Sequence, residues 1–274
     1  MRDTSNGMRA SEPAQLTPVA GSTQAEPTPR EHFNQYFQIL SADTPELIRR
    51  TQEIRYQVYC VEHPFENAAD HPDGLETDEY DTHAVHTLLV HRASGEAMGT
   101  VRLVLPLAEA PERSFAIQRA IDHPIFRDAK RFPVHSMGEV SRFSISKQFR
   151  RRANDTLYGQ TEEAPPPPDH PSRRSNAPLT RLGLIQALIR LTAANRITHW
   201  CAMMEPRLLR MLATTSIFFE PIGELVEFHG LRQPCYCDVV DMLSRVQREQ
   251  PASWDILTDG GALWEPLLDA RRAR

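Results

Sequence analysis

Nine residues, Gly138-Glu139-Val140-Ser141-Arg142-Phe143-Ser144-Ile145-Ser146, constrain this chain more than any other stretch. β-Branched and aromatic residues at alternate places, with turn formers on either side, spell a strand. Yet the strand carries a carboxylate, a hydroxyl and a guanidinium, and charged groups are seldom buried without partners. Strict alternation would put Glu139 and Ser141 on one face and Arg142 on the other. Two readings follow. Either this is an edge strand whose charges are solvated, or a β-bulge re-aims the side chains so that all three serve one cleft.

The rest of the chain bounds what can surround that strand. With 274 residues, 40% of them hydrophobic, it can bury one sizeable core with at most a small appendage. A net charge of −5 argues against general nucleic-acid binding. No apolar run reaches the roughly 18 residues of a membrane span, and the first thirty residues hold no hydrophobic secretory segment. Cys60, Cys201, Cys235 and Cys237 show no C-x-x-C spacing, so reduced structural thiols in a cytoplasmic protein are expected. No His or Cys set has ligand spacing, and no metal is expected.

Residues 1 to 30, rich in Ser, Thr, Pro, Ala and Gly, are expected to be a disordered tail. Residues 33 to 40 suit a first strand. Asp43-Thr44-Pro45-Glu46 then supplies cap candidates, a first-turn proline and early negative charge for a helix. Its apolar stripe is Leu47, Ile48, Ile54, Val58 and Val61. Arg55 and Tyr59, four apart, lie along one side of it.

Residues 62 to 76 read as a loop. It ends in Glu76-Thr77-Asp78-Glu79-Tyr80-Asp81, a run of carboxylates that either faces solvent or serves the strand it leads into. Residues 85 to 90 and 98 to 106 make a hairpin around Gly95. Arg102 stands between Val101 and Leu103. Either it snorkels from an edge, or it is buried and takes the upstream acidic run as its partner, since an unpaired guanidinium there is costly.

Residues 107 to 132 predict one or two short helices, broken at His123-Pro124. Beyond the charged strand comes the basic run Lys147-Gln148-Phe149-Arg150-Arg151-Arg152, then a flexible insertion over residues 153 to 178 with four consecutive prolines. Leu179, Leu182, Ile185, Leu188, Ile189 and Thr192 trace a long amphipathic helix. Residues 199 to 204 form a buried strand whose Met203 and Met204 belong to the core, and Pro206 opens a further helix. Residues 222 to 228 and 235 to 240 suggest a last pair of strands. Beyond residue 250 the chain either packs as a small helix or stays loose. The expected parts are a tail over 1–30, one domain over 31–245, and a C-terminal extension over 246–274.

That order describes an α/β fold with a mixed sheet and helices on both faces. Within it, Arg55-x-x-x-Tyr59, Glu76-x-Asp78-x-x-Asp81, Val101-Arg102-Leu103 and Glu139-x-Ser141-Arg142 resemble the ordered signature of autoinducer synthases. Those enzymes make N-acyl-homoserine lactones on a GCN5-related N-acetyltransferase (GNAT) fold. The chain looks closer still to N-acyl amino acid synthases and to PEP-CTERM/exosortase-associated acyltransferases, over roughly residues 33 to 240. The resemblance implies an acyltransferase with a GNAT-like mixed sheet flanked by helices. By position it implies that Glu139 acts through water as general base, with Ser141 and Arg142 beside it. It implies further that Arg55, Asp78, Asp81, Arg102 and Arg142 shape the acceptor pocket, which Tyr59 and Phe65 contact. Autoinducer synthases usually have phenylalanine and tryptophan at those last two places, which counts against S-adenosylmethionine as acceptor. Arginine also replaces the glycine of the usual pyrophosphate-binding turn, which counts against plain acetyl-CoA.

The chemistry is coherent on its own terms. Acyl transfer from a thioester to an amine needs a proton acceptor and fixed N–H donors for the tetrahedral intermediate. Arginines suit an acceptor carboxylate. Lys147, Arg150, Arg151 and Arg152 either form a solvated turn or meet an acidic acyl carrier protein. The expected activity moves a fatty acyl group from an acyl-carrier or CoA thioester to a small-molecule amine, an amino acid, with no permanently bound cofactor. Two alternatives stand beside it: acyl-homoserine lactone synthesis from S-adenosylmethionine, and a non-catalytic acyl-ligand-binding module of the same fold.

Overall fold

The computed structural model describes residues 27–147 and 177–273. Most of the expected tail and insertion, and Arg150, Arg151 and Arg152, lie outside them. Among the described residues the sheet has eight strands: β1 (Phe37–Ser41), β2 (Ala84–His91), β3 (Ala97–Val104), β4 (Met137–Ile145), β5 (His199–Met204), β6 (Glu220–Pro221), β7 (Val226–Glu227) and β8 (Leu231–Asp238). Their order is β1-β2-β3-β4-β5-β8-β6, with β7 on β8. Every pairing is antiparallel except β4 with β5, which is parallel. The expected mixed α/β architecture is the one observed.

Two features of β4 shape the site. Its parallel pairing with β5 covers only Met137–His199, Gly138–Trp200 and Glu139–Cys201, so beyond Glu139 the two strands part. Against β3 the register steps from Thr100–Ser144 to Arg102–Ser141, one residue more on β4 than on β3, and Arg142 has φ 51°. This is the bulge that one reading of the sequence required.

Helix α1 (Pro29–Tyr36) occupies the first half of the segment expected to be a strand, and β1 starts only at Phe37. Thr28 and Glu31 cap each other's backbone N–H and Pro29 opens the first turn, so the local capping signals outweigh the aromatic preference for strand. Helix α2 (Pro45–Tyr56) begins on Thr44, whose side chain accepts from the Leu47 N–H. It runs on into a π-helical turn, Gln57–Glu62. The wider turn takes Val61 off the apolar stripe, and Val61 is exposed. Between β3 and β4 lies the five-residue α3 (Ala116–Ala120).

Helix α4 (Ala177–Ala194) is not amphipathic as expected. Leu184, Ala187, Leu188, Ile189, Leu191 and Thr192 are all buried, because the chain's end covers its outer side. Helices α6 (Val239–Glu249), α7 (Pro251–Leu257) and α8 (Trp264–Arg272) follow β8, and α7 and α8 pack on α4. The segment beyond residue 250 therefore packs as two helices, with Ile256, Leu257 and Leu267 in the core, and α6 runs through the boundary expected at 245. Val239 and Val240 belong to α6 rather than to a strand, since Asp238 caps it by accepting from the Asp241 N–H. The strand expected over 222 to 228 shrinks to β7, because Gly223 at φ 71° ends the extended run. Helix α5 (Pro206–Ala213) follows β5 as expected.

The main core lies between α4 and one face of the sheet, around Leu89, Val101, Leu103 and Trp200. Alternate residues Leu88 and Val90 face α2, with Ile54 and Val58. All four cysteines are buried and unpaired. Among the described residues, no helix is long and apolar enough to cross a membrane, and no group of three or more His, Cys, Asp or Glu is placed to hold a metal ion.

Candidate active site

Three arginines from three elements meet three carboxylates from the loop before β2, and together they close a ring. Arg55, on α2 and wholly buried, donates from Nε to Glu76 and from Nη1 and Nη2 to the two oxygens of Asp81, at 2.7 and 3.0 Å. Arg102, on β3, donates from Nη1 to Asp81 at 2.7 Å and to Asp78 at 2.5 Å, and from Nη2 to Asp78 at 2.8 Å. Arg142, at the bulge, donates from Nη2 to Asp78 at 3.1 Å and Glu76 at 2.7 Å, and from Nε to Glu76. Each carboxylate bridges two arginines and each arginine two carboxylates. Glu66 adds a fourth carboxylate on Arg142 Nη2, at 3.3 Å.

The local folding of residues 78 to 83 fixes two of these carboxylates. Asp78 and Asp81 form a capping box for a short 3₁₀ turn, Asp81 accepting from the Asp78 N–H and Asp78 from the Tyr80 N–H. Ser141 accepts from Arg102 Nε at 2.9 Å and so holds that guanidinium in plane. Burial pushes the carboxyls of Glu76, Asp78 and Asp81 up, but the arginine charges and hydrogen bonds outweigh it, and all three lie below the ordinary range. His86, buried behind the ring 3.7 Å from Asp81, is driven down to about 4 by burial and by the Arg55 charge, and is neutral at pH 7.

Glu139 stands at the point where β4 and β5 part, apart from this ring. It is 3% exposed. Oε2 accepts from the Ala116 N–H at 2.7 Å and Oε1 from the Ile117 N–H at 3.0 Å, so the carboxylate also anchors the first turn of α3. Burial raises its carboxyl to about 7, against the pull of those two N–H groups. That places it near the optimum for a group that must accept and release a proton at neutral pH.

A single cleft of about 1220 Å³ runs through the parting of β4 and β5. Glu139, Ser141, Arg142, Asp78 and Arg102 line it on the charged side, with Tyr59 and Phe65. On the other side Leu188, Trp200, Met204, Met211, Leu212 and Phe219 make an apolar chamber. Trp200 is fixed there by donating from Nε1 to Thr192 Oγ1 at 2.9 Å and by stacking on Phe219. Ligand pockets usually measure about 300–1,000 Å³, and this cleft exceeds that range.

The structure brings together Arg55, Asp78, Asp81, Arg102, Ser141 and Arg142, and places Tyr59 under the Arg142 guanidinium, 5.1 Å from the ring centroid. Phe65 lies 6.2 Å from Tyr59. Lys147 lies at the cleft's rim, where its N–H donates to both Glu62 carboxylate oxygens and its Nζ to the Glu62 carbonyl. Sequence reasoning passed over Glu66, the apolar chamber, and two residues near the turn joining β7 and β8, His229 and Arg232. Glu76 stood in the acidic run without a role. Only Glu76 left a local signal; the others are gathered by topology alone.

Residues 54–160, which span every member of the ring, match the acetyltransferase (GNAT) domain family. No curated protein sequence matches the chain. Among solved structures, TofI, in a ternary complex with an inhibitor and MTA, is 19% identical at a TM-score of 0.50, covering 83% of this chain and 99% of TofI. BjaI, a CoA-dependent acyl-homoserine lactone synthase with SAM and isopentyl-CoA, is 16% identical at 0.49, covering 86% and 98%. FeeM, an N-acyl amino acid synthase from uncultured soil microbes, is 15% identical at 0.48, covering 76% and 95%. The chain has the GNAT fold, and its charged ring and bulged strand lie within the stretch that matches the acetyltransferase domain family.

Proposed function

We propose that the protein is an N-acyltransferase that moves a fatty acyl group from a thioester to the amine of a small molecule. One observation carries this: a single cleft joins an apolar chamber to a charged wall at the parting of two parallel strands, with Glu139 at the junction. The chamber suits a fatty acyl chain and the charged wall a polar acceptor. Beyond Glu139 the facing edges of β4 and β5 have no partner strand among the described residues, so their backbone N–H groups can hold a thioester carbonyl and its developing oxyanion.

In this reading the amine enters from the ring side and loses its proton through water to Glu139. Its nitrogen attacks the thioester carbon, the C–N bond forms, the tetrahedral intermediate collapses, and the C–S bond breaks to release the thiol. Ser141 and the carboxylates hold Arg102 and Arg142 as the wall of the acceptor pocket and take no proton themselves, since arginine stays charged.

An acyl carrier protein is the proposed donor carrier, on the strength of the basic run that begins at Lys147. The test is thiol release from acyl-carrier and acyl-CoA thioesters with a panel of amines, including amino acids and S-adenosylmethionine, at low and high salt. Amine-dependent thiol release with a salt-sensitive preference for the carrier thioester is expected. Binding of the thioester without turnover on any amine would favour a non-catalytic module, and equal, salt-independent use of both donors would remove the carrier protein.

A further inference from the structure

The charged ring and Glu66 together hold more negative than positive charge. Arg55, Arg102 and Arg142 face Glu66, Glu76, Asp78 and Asp81, and neutral His86 adds nothing, which leaves one negative charge over. Such a wall draws an amine or ammonium. To a carboxylate it offers little, because the Arg55 and Arg102 guanidiniums are spent on Glu76, Asp78, Asp81 and Ser141.

The stretch of wall next to this ring differs. Arg232, in β8 just after the His229-Gly230 turn, lines the same cleft with its side chain 12% exposed. Its guanidinium lies over the Phe65 ring at 5.1 Å and donates from Nη2 to the His229 carbonyl at 2.7 Å. Nη1 donates to the Leu231 carbonyl at 3.3 Å. Nη1 also forms an ion pair at 3.5 Å with Glu205, whose side chain is half-exposed, while Nε donates to no described group. Phe65 neighbours Tyr59, which lies under Arg142. Two adjacent aromatic rings thus each carry a guanidinium, one locked in the ring of charges and one with donors to spare.

We propose that Arg232 is the specificity-determining residue for an acceptor that carries a carboxylate as well as its amine, an α-amino acid. This rests on the acyl-transfer reading above. The amine is drawn toward Glu66 and Asp78, and the carboxylate, on the same carbon, pairs with Arg232 beside them. A guanidinium already stacked and tethered to a backbone carbonyl loses little freedom on capturing a carboxylate. A decarboxylated amine meets the negative wall equally well but leaves Arg232 unused.

The experiment compares phenylalanine with phenethylamine, and leucine with isoamylamine, as acceptors for one acyl thioester, using the wild type, Arg232→Gln and Arg232→Lys. The readout is the ratio of kcat/KM for each amino acid over its amine. The wild-type ratio is expected above one, and Arg232→Gln should lower it about 10- to 100-fold, the range of a lost charge-assisted hydrogen bond. Arg232→Lys should fall between, which keeps the test alive should the glutamine variant fold poorly. A wild-type ratio near one, or a ratio unmoved in both variants, overturns the proposal while leaving acyl transfer standing. A raised KM for the thioester with an unmoved ratio assigns Arg232 to the donor's phosphate and also overturns it. No acylation of any amine by the wild type would instead bring down the acyl-transfer reading.

Discussion

Replacing Glu139 with glutamine separates the two tasks that the structure gives this side chain. As proton acceptor it must be ionised; as anchor of α3 it must accept from both the Ala116 and Ile117 N–H groups. Glutamine keeps the size and one accepting oxygen but turns an NH₂ toward a backbone N–H. Turnover should fall by roughly 10²–10⁴-fold, the usual share of general base catalysis. In the wild type, log kcat/KM should rise with pH and level off near pH 7, where the carboxyl ionises; in the variant that limb should vanish. Stability should behave differently. Folding raises this carboxyl from 4.5 to about 7, so the folded state holds the proton more tightly. The wild type therefore loses stability as pH rises from 4.5 to 7, on the order of 3 kcal/mol in all. The variant has no such loss but forfeits one accepted hydrogen bond at every pH, about 1–3 kcal/mol. Urea unfolding should thus find Glu139→Gln the less stable at pH 5 and equal to the wild type or more stable at pH 8. Wild-type turnover across pH, with a stability gap that widens as pH rises, would mean that the ionised carboxylate is structural and the base lies elsewhere.

Arg102→Leu should cost about 3–5 kcal/mol, because it leaves Asp78 and Asp81 buried with one partner fewer each; a change below about 1 kcal/mol in urea unfolding would show that the ring tolerates a gap. Gly183→Ala tests the packing of α4 on the sheet, since a Cβ there would sit 2.8 Å from the Phe33 ring and 3.1 Å from Leu89. Overpacking of about 1–3 kcal/mol should exceed the roughly 1 kcal/mol gained in helix propensity, so a higher unfolding midpoint would refute that close fit.

What the sequence made legible was chemistry held within single elements. Alternation and turn formers marked β2, β3 and β4, and Arg102 between apolar neighbours pointed to a buried guanidinium in need of carboxylates just upstream. What escaped was decided by neighbours distant in the chain. The periodicity of α4 gives no sign that α7 and α8 will cover its outer side, so a buried helix looked amphipathic. Phe33 and Tyr36 look like strand residues until the Thr28 and Glu31 caps are weighed. Arg232 is one more surface arginine in the sequence; only the hairpin of β7 and β8 carries it to Phe65, 167 positions earlier in the numbering.

The bulge shows how the two scales meet. Alternation alone would turn Arg142 away from Ser141, and a left-handed backbone at a non-glycine residue costs about 1–2 kcal/mol. Glycine would remove that strain, yet it could not close the ring. Arg142 Nε and Nη2 reach Glu76, Asp78 and Glu66, carboxylates that would otherwise face Arg55 and Arg102 alone or have no cation at all. Buried carboxylates left short of partners cost more than the strained dihedral does. The same extra residue lies a few positions beyond Glu139, the last residue of β4 that pairs with β5. One irregular residue thus completes the charged wall beside the opening between the strands, where the wall and the apolar chamber share one cleft.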